Sequence, residues 1–456
     1  MTAVSPVISG PVTGGAHGWP FAAPVKDLAA HGYVIEEFLL EGTARRYRAR
    51  AGTAPGSDGR WEAEPAETAP YKTRMFVVRP QDPARFNGIL VVNWQNVTAN
   101  VDLGAPEDGI LRGGYAWAGV TAQKLGVDGL PGLTKGLSAW DPERYGSLHH
   151  PGDAWSYDIY AQAARALKDG ASAGGPDPMG GLRPRTVIAT GLSQSAMRLG
   201  SYINIAHPHD RLFDGFYLVV HWGMCPPIEE ASLVEQFAPR PGNSYAATSR
   251  IHDRGDAPIL VLATECEAFH NFPARQPDTG SFRFWEVAGG THLDPPLSEA
   301  VTAIMARDGM AMPFAPPATR NLVDWSYIRA GGLRWLTRWI REGTLPPRFR
   351  LLEIETGADG RFFFRKDAAG NARGGMRLPE LAAATGVHKG TNALNPYGAL
   401  SGESRLFDRA ELERLHGDRE SFLAKWDRAV DDLAAADLVE PDQAAALRQR
   451  GRAAWG

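Results

Sequence analysis

Six short apolar runs constrain this chain more than any other feature. They are Met75–Val78, Ile89–Val92, Ala116–Val120, Thr186–Ala189, Phe216–Val220 and Ile259–Leu262. Each is continuous rather than alternating, the pattern of strands buried on both faces of a parallel sheet. Stretches of helical spacing fall between them, at 153–167, 195–206 and 325–340. The last of these stops at Gly343 and Pro346, as helices do. Strands alternating with helices predict an α/β fold with a mostly parallel central sheet flanked by helices. Phe282–Val287 alternates more and is expected at an edge.

The ends differ in texture. Residues 32–40 and 45–50 predict an N-terminal strand pair split by Glu41-Gly42. Residues 51–70, rich in Ala, Pro, Gly and Glu, predict an exposed loop. Beyond Leu345, a hairpin around Gly357–Gly360, a Gly-rich loop at 371–379 and three amphipathic helices (408–415, 420–438, 442–454) follow. The expected organisation is a catalytic core over 1–345, with a short lid at about 223–257, and an appended C-terminal subdomain over 346–456 packed on that core.

Composition narrows the partners. Among 456 residues, 48 Lys+Arg against 52 Asp+Glu leave a net charge of -4. That balance offers no basic footprint for nucleic acid or an anionic membrane. No segment approaches the roughly 18 apolar residues of a membrane span. Residues 1–25 hold no Lys or Arg and are broken by Gly and Pro, so no signal peptide is expected and the cytoplasm is the default location. Two cysteines exclude a disulfide-dense scaffold or a four-cysteine zinc site. Cys225 and Cys266 each follow a predicted strand; two free thiols are the default expectation, and a bridge between them is the alternative. His149-His150 and His207-Pro208-His209 lack zinc-site spacing, so no metal and no cofactor is expected.

The segment that carries chemistry is Thr186–Ala196, a strand, then Gly191-Leu192-Ser193-Gln194-Ser195, then a helix. A serine on such a turn projects its hydroxyl out of the sheet, beside a helix N-terminus that favours negative charge. The flanking positions must be small. Gly191 is, and Ser195 stands where a second Gly is usual. Ser193 is therefore the candidate nucleophile. It needs a base and the base an orienting acid, in the chain order Ser, acid, His. His292, in the loop after the last strand, is the candidate base. Thr264-Glu265-Cys266-Glu267 follows the strand Ile259–Leu262 and supplies the acid, Glu267 ahead of Glu265, with Asp278 a more distant third. An oxyanion hole is expected from the backbone N–H of Gln194 and one within Trp94, Gln95 and Asn96. Gln123 and Trp222 are expected to line the substrate pocket.

At these residues the chain resembles the α/β-hydrolase superfamily, and within it a bacterial group of α/β hydrolase domain-containing proteins of similar length. Pro11–Gly15, Gly32–Val34, Asn93–Val97, Trp140–Tyr145, His150–Asp153, Arg275–Asp278, Trp285–Gly289 and Gly374–Pro379 carry the resemblance, which covers nearly the whole chain. It implies Ser193 and His292 in catalytic roles, an acid within Glu265–Glu267 and esterase-like chemistry. The group's pattern at the acid is Glu-x-Asp, from which Glu267 departs. The expected activity is hydrolysis of a small, neutral, partly apolar carboxylic ester. Acyl transfer and amide or lactone hydrolysis use the same groups, and a non-catalytic binding protein is the alternative outside enzymology.

Overall fold

Tyr33–Ala49 is one unbroken strand, β2, rather than the split pair expected. It runs antiparallel to β3, Ala63–Pro80, paired from Tyr33↔Pro80 to Ala49↔Ala63 with one register shift between Arg45 and Tyr47. Gly42 does not turn the chain; it stays in the ladder opposite Tyr71. A Cβ there would lie 3.2 Å from both the Gln162 amide oxygen and the Tyr71 ring, so the glycine serves a close approach. The expected loop at 51–70 is strand from Ala63 onward. Its prolines hid this, yet β3 bonds β5 only from Met75 to Val78, so Pro65 and Pro70 fall where β3 has one neighbour and a missing N–H is tolerated.

The structure, a computed structural model, describes residues 6–170, 175–228, 248–310, 320–392 and 400–455. By contact the chain forms two compact units, residues 1–259 with 303–310, and residues 260–302 with 311–456. The division falls after Ile259, not at residue 345. No helix among the described residues is long and apolar enough to cross a membrane. Most of the lid expected at 223–257 lies outside the described residues.

In the first unit the strand order is β1-β2-β3-β5-β4-β6-β7, with β1 at Val7–Ser9, β4 at Ile89–Trp94, β5 at Ala116–Val120, β6 at Thr186–Leu192 and β7 at Gly215–Val219. β1, β2, β3 and β5 pair antiparallel; β5, β4, β6 and β7 pair parallel. The continuous apolar runs are the buried strands of this mixed sheet, as expected from their texture. Helix Ser156–Asp169 packs on β2 and β4. Its Tyr160 hydroxyl donates to the Val92 carbonyl at 2.7 Å. Beneath the sheet's end, Arg74 is wholly buried and donates to Asp102 at 2.9 Å. That ion pair anchors the loop that leaves β4.

His150 shows how this unit responds to acid. Its Nδ1 accepts the Gly152 N–H at 3.2 Å and its Nε2 faces the Ala122 carbonyl at 2.9 Å. The ring is therefore neutral with its proton on Nε2. Burial pushes its pKa down from 6.5 to about 4. Between pH 6.5 and 4 the unfolded chain binds a proton here that the folded chain refuses. The stability this group contributes is whole above pH 6.5 and is lost as pH falls through 4, about 3 kcal/mol in all. Wild-type protein is expected to lose more of its urea midpoint between pH 7 and 4.5 than His150→Gln; equal losses would place the acid sensitivity elsewhere.

The second unit holds β8, Ile259–Thr264, beside β9, Phe282–Val287. β9 is last in the strand order, the edge position expected of it, and one bridge covers its end. Met376 bridges to Val287, donating to the Glu286 carbonyl at 2.7 Å and accepting the Ala288 N–H at 3.0 Å. The C-terminal segment is thus hydrogen-bonded into β9 rather than appended. It carries the expected hairpin, β10 at Ile354–Thr356 and β11 at Phe362–Phe364. A second hairpin, β12 at Gly386–Lys389 and β13 at Glu403–Leu406, was not legible; four-residue strands so far apart leave no periodicity. Helices Ser326–Glu342, Arg409–His416, Arg419–Ala435 and Pro441–Trp455 complete the unit. Gly343 ends the first in the left-handed region, and Asp408 with Glu411 forms a capping box on the second, each supplying the partners that helix ends lack.

Candidate active site

β6 runs into helix Gln194–Ile205 through a single residue, Ser193, at φ 63° and ψ -122°. A non-glycine residue at positive φ is strained by ~1–3 kcal/mol and persists only where its surroundings enforce it. Here the Ser193 N–H donates to the Val219 carbonyl at 2.9 Å. A Cβ on Gly191 would lie 2.7 Å from the Ser195 carbonyl carbon and oxygen, so only glycine fits. Ser195 accounts for its own departure from the two-glycine pattern. Its buried hydroxyl donates to the Leu192 carbonyl at 2.8 Å and accepts the Leu192 N–H at 2.9 Å, closing the turn from inside. Gly191→Ala is expected to cost ~1–3 kcal/mol by overpacking, read as a lowered urea midpoint; an unchanged midpoint would mean the turn has room.

The loop after β4 is tied to this turn. The Asn96 amide donates to the Leu192 carbonyl at 2.7 Å, and its oxygen accepts the Thr98 N–H at 2.8 Å. Of the three residues expected to offer a second oxyanion donor, Gln95 gives its backbone N–H to Val120 at 3.1 Å and Asn96 gives its own to Leu103 at 2.8 Å. Trp94 is inside β4 and fully buried. The first amide of the loop without a partner among the described residues is that of Val97. The correction follows from a small bridge, Asn96↔Leu103, that no local pattern announces.

Gln123 does not line a pocket. It is fully buried, accepts from the Trp94 indole at 3.1 Å and the Gln194 side chain at 2.9 Å, and donates to Asp153 at 2.9 Å. Asp153 also holds Arg198 at 3.1 Å. The network fixes the first turn of the helix behind Ser193. Trp222 is half-buried, and its indole N–H donates to the Ser193 hydroxyl at 3.3 Å. Cys225 is a buried thiol that burial pushes up to about 12.

The candidate acid and the candidate base lie on the second unit. The His292 Nδ1 meets a Glu267 carboxylate oxygen at 2.5 Å. With Nδ1 donating, Nε2 is the basic nitrogen. The other Glu267 oxygen accepts the Thr264 N–H at 2.9 Å and the Thr264 hydroxyl at 2.8 Å. Both side chains are buried, so the pair is worth more than one exposed to water.

Glu265 has a different occupation. Its two oxygens accept the Gly289 N–H at 2.8 Å and the Gly390 N–H at 3.2 Å. Burial raises its pKa, against the two N–H donors that lower it. It clamps the histidine loop, where Gly289 has φ 65°, to the C-terminal segment. Leu400 completes the clamp: its carbonyl accepts the Thr291 hydroxyl at 2.7 Å and the Leu293 N–H at 3.2 Å, on either side of His292. Gly390 and Leu400 were not legible as partners because they meet the histidine loop and Glu265 from over a hundred residues away.

One trio among the described residues, Cys266, Glu267 and His292, brings potential metal-ligand atoms within 4.8 Å of one another. Both Glu267 oxygens already hold hydrogen bonds, and burial, then Glu267, drives the Cys266 thiol well above its ordinary pKa. As it stands the trio is a histidine–carboxylate pair with a protonated thiol beside it.

Residues 8–449 match a family model described as alpha/beta hydrolase domain. The chain belongs to the alpha/beta hydrolase family. No curated protein matches it in sequence. Among solved structures the hydrolase is similar to esterase Est22, with TM-score 0.33 and 12% identity over 61% of this chain and 78% of that one. It is similar also to a prolyl endopeptidase, with TM-score 0.29 and 14% identity over 61% of this chain. A third is Thermogutta terrifontis esterase 2, with TM-score 0.26 and 14% identity over 47% and 78% of the two chains. The hydrolase spans 37% of the prolyl endopeptidase's length.

Proposed function

We propose that this hydrolase cleaves carboxylic esters through an acyl-enzyme on Ser193. The observation that carries the reading is the backbone of Ser193, held at φ 63° between a buried strand and a helix N-terminus, with Gly191 and Ser195 shaped to that turn. Strain of this kind is kept where the side chain it presents has work to do. The imidazole of His292, oriented by Glu267, supplies the base that a serine nucleophile requires.

In this mechanism the Ser193 oxygen attacks the ester carbonyl as His292 Nε2 takes its proton. The carbonyl electrons move onto oxygen, stabilised by the Gln194 N–H and by an amide of the loop after β4, for which Val97 is the candidate. The tetrahedral species collapses, and imidazolium protonates the leaving alcohol. Water, deprotonated by the same nitrogen, then releases the acid. Glu267 keeps hold of Nδ1 and stabilises the imidazolium. A net charge of -4 implies no strongly charged substrate class.

The test is labelling with a fluorophosphonate followed by peptide mapping, then a screen of p-nitrophenyl esters of increasing chain length. The expected result is a single adduct on Ser193 that His292→Ala abolishes, with turnover of at least one ester. A folded protein that neither labels nor turns over any ester, even with a small sulfonyl fluoride, would end the reading.

A further inference from the structure

Trp222 reaches the oxygen that the proposed chemistry makes and breaks bonds to. Its indole N–H donates to the Ser193 Oγ at 3.3 Å. The contact is built rather than incidental. β6 and β7 are parallel neighbours, paired Leu192↔Val219. Each is followed by a non-glycine residue in the left-handed region, Ser193 at φ 63° and Val220 at φ 46°. For a β-branched valine that conformation is an outlier, and it turns the chain just before Trp222. The next turn is pinned as well: the buried His221 Nδ1 accepts the Gly223 N–H at 3.0 Å. Its Nε2 would lie 3.1 Å from a Cβ on Gly200, in the helix that Ser193 begins. Two strained turns at the ends of adjacent strands thus fix the donor against its acceptor.

We infer that Trp222 is a catalytic residue whose N–H assists departure of the Ser193 oxygen from the acyl-enzyme. The inference rests on the reading of Ser193 as nucleophile. In deacylation water adds to the acyl carbonyl and gives its proton to His292. The carbon–Oγ bond then breaks, its electron pair goes to Oγ, and the imidazolium returns a proton there. Negative charge grows on Oγ before that proton arrives, and an N–H donor already aimed at it lowers the barrier. In acylation the same oxygen loses electron density to the new bond, so the donor helps less. Removing the N–H therefore slows the second half-reaction more than the first, an asymmetry that a purely structural tryptophan would not produce.

The experiment uses p-nitrophenyl butyrate with the full chain, Trp222→Phe and Trp222→His. Phe keeps an aromatic ring and deletes the donor; His keeps a ring N–H. Trp222→Phe is expected to lower kcat about tenfold, the worth of one hydrogen bond to a charged group, and to lower KM with it. Then kcat/KM stays within about threefold, and butyryl-enzyme accumulates to a mass detectable on the intact protein. Trp222→His is expected to recover part of kcat. Fluorophosphonate labelling of Ser193 at wild-type stoichiometry certifies that each variant has an assembled site. Unchanged kcat in the Phe variant overturns the inference. So does a fall in kcat/KM equal to that in kcat without acyl-enzyme, or equal losses in Phe and His. Absence of labelling in the wild type would instead remove the nucleophile reading beneath it, so the two failures are told apart.

Discussion

Ser193→Ala is expected to lower kcat for p-nitrophenyl esters by about 10⁴–10⁶-fold, the scale on which removing a serine nucleophile acts in other hydrolases. Alanine keeps the Cβ, so the strained turn at Ser193 and its bond to the Val219 carbonyl survive. The variant loses only the hydroxyl and its contact with Trp222. Stability is therefore expected to move by little, and the urea midpoint is the control. A variant that keeps its fold and more than a tenth of its activity would mean that another group carries the chemistry. The residual rate reports what the oxyanion donors and binding do without a nucleophile.

Exchanging the two glutamates separates catalysis from support. Glu267→Gln is expected to lower kcat by about 10³–10⁴-fold, since an amide cannot stabilise the imidazolium and favours the wrong tautomer of His292. Glu265→Gln is expected to leave kcat within about tenfold while lowering the urea midpoint. Its amide can accept from Gly289 or from Gly390, but turns its own N–H₂ on the other. A buried donor left facing a donor costs ~1–3 kcal/mol. The sign with pH follows from the raised pKa of Glu265. Its contribution to stability is whole below the unfolded-state value near 4.5 and declines as pH rises through the higher folded value. The midpoint difference between wild type and Glu265→Gln is thus expected to shrink from pH 4 to pH 7. Reversed activities for the two variants would move the acid to Glu265.

The parallel core was legible because burial on both faces leaves one signature, an unbroken apolar run, and five of the six runs lie in β3 to β7 of the first unit. Ser193 was legible for a related reason. A strand-to-helix turn through one residue demands small neighbours, and Gly191 and Ser195 are small for contacts at 2.7–2.9 Å. β2 and β3 were misread because their prolines and Gly42 say turn locally, while pairing over 17 and 18 residues decides otherwise. The loop after β4, the candidate source of an oxyanion donor, was only half legible. Its place after β4 follows from the strand order, but which amides are spent depends on partners at Val120 and Leu103.

What the sequence determined by itself was local: which segments are buried strands, which are helices, and where a serine must sit so that its hydroxyl leaves the sheet. These follow from side-chain periodicity and from steric limits on a few φ angles, both properties of neighbouring residues. The contact of Glu267 with His292, the occupation of Glu265 by Gly289 and Gly390, the conversion of Gln123 from pocket wall to buried tie, and the bond from Trp222 to Ser193 were decided only by the tertiary structure. Each depends on which polar group a buried donor or acceptor finds when water is excluded. That partner lies 25 residues away for His292, 29 for Trp222 and 125 for Glu265. Periodicity is silent at such separations, where satisfying buried hydrogen bonds governs the outcome.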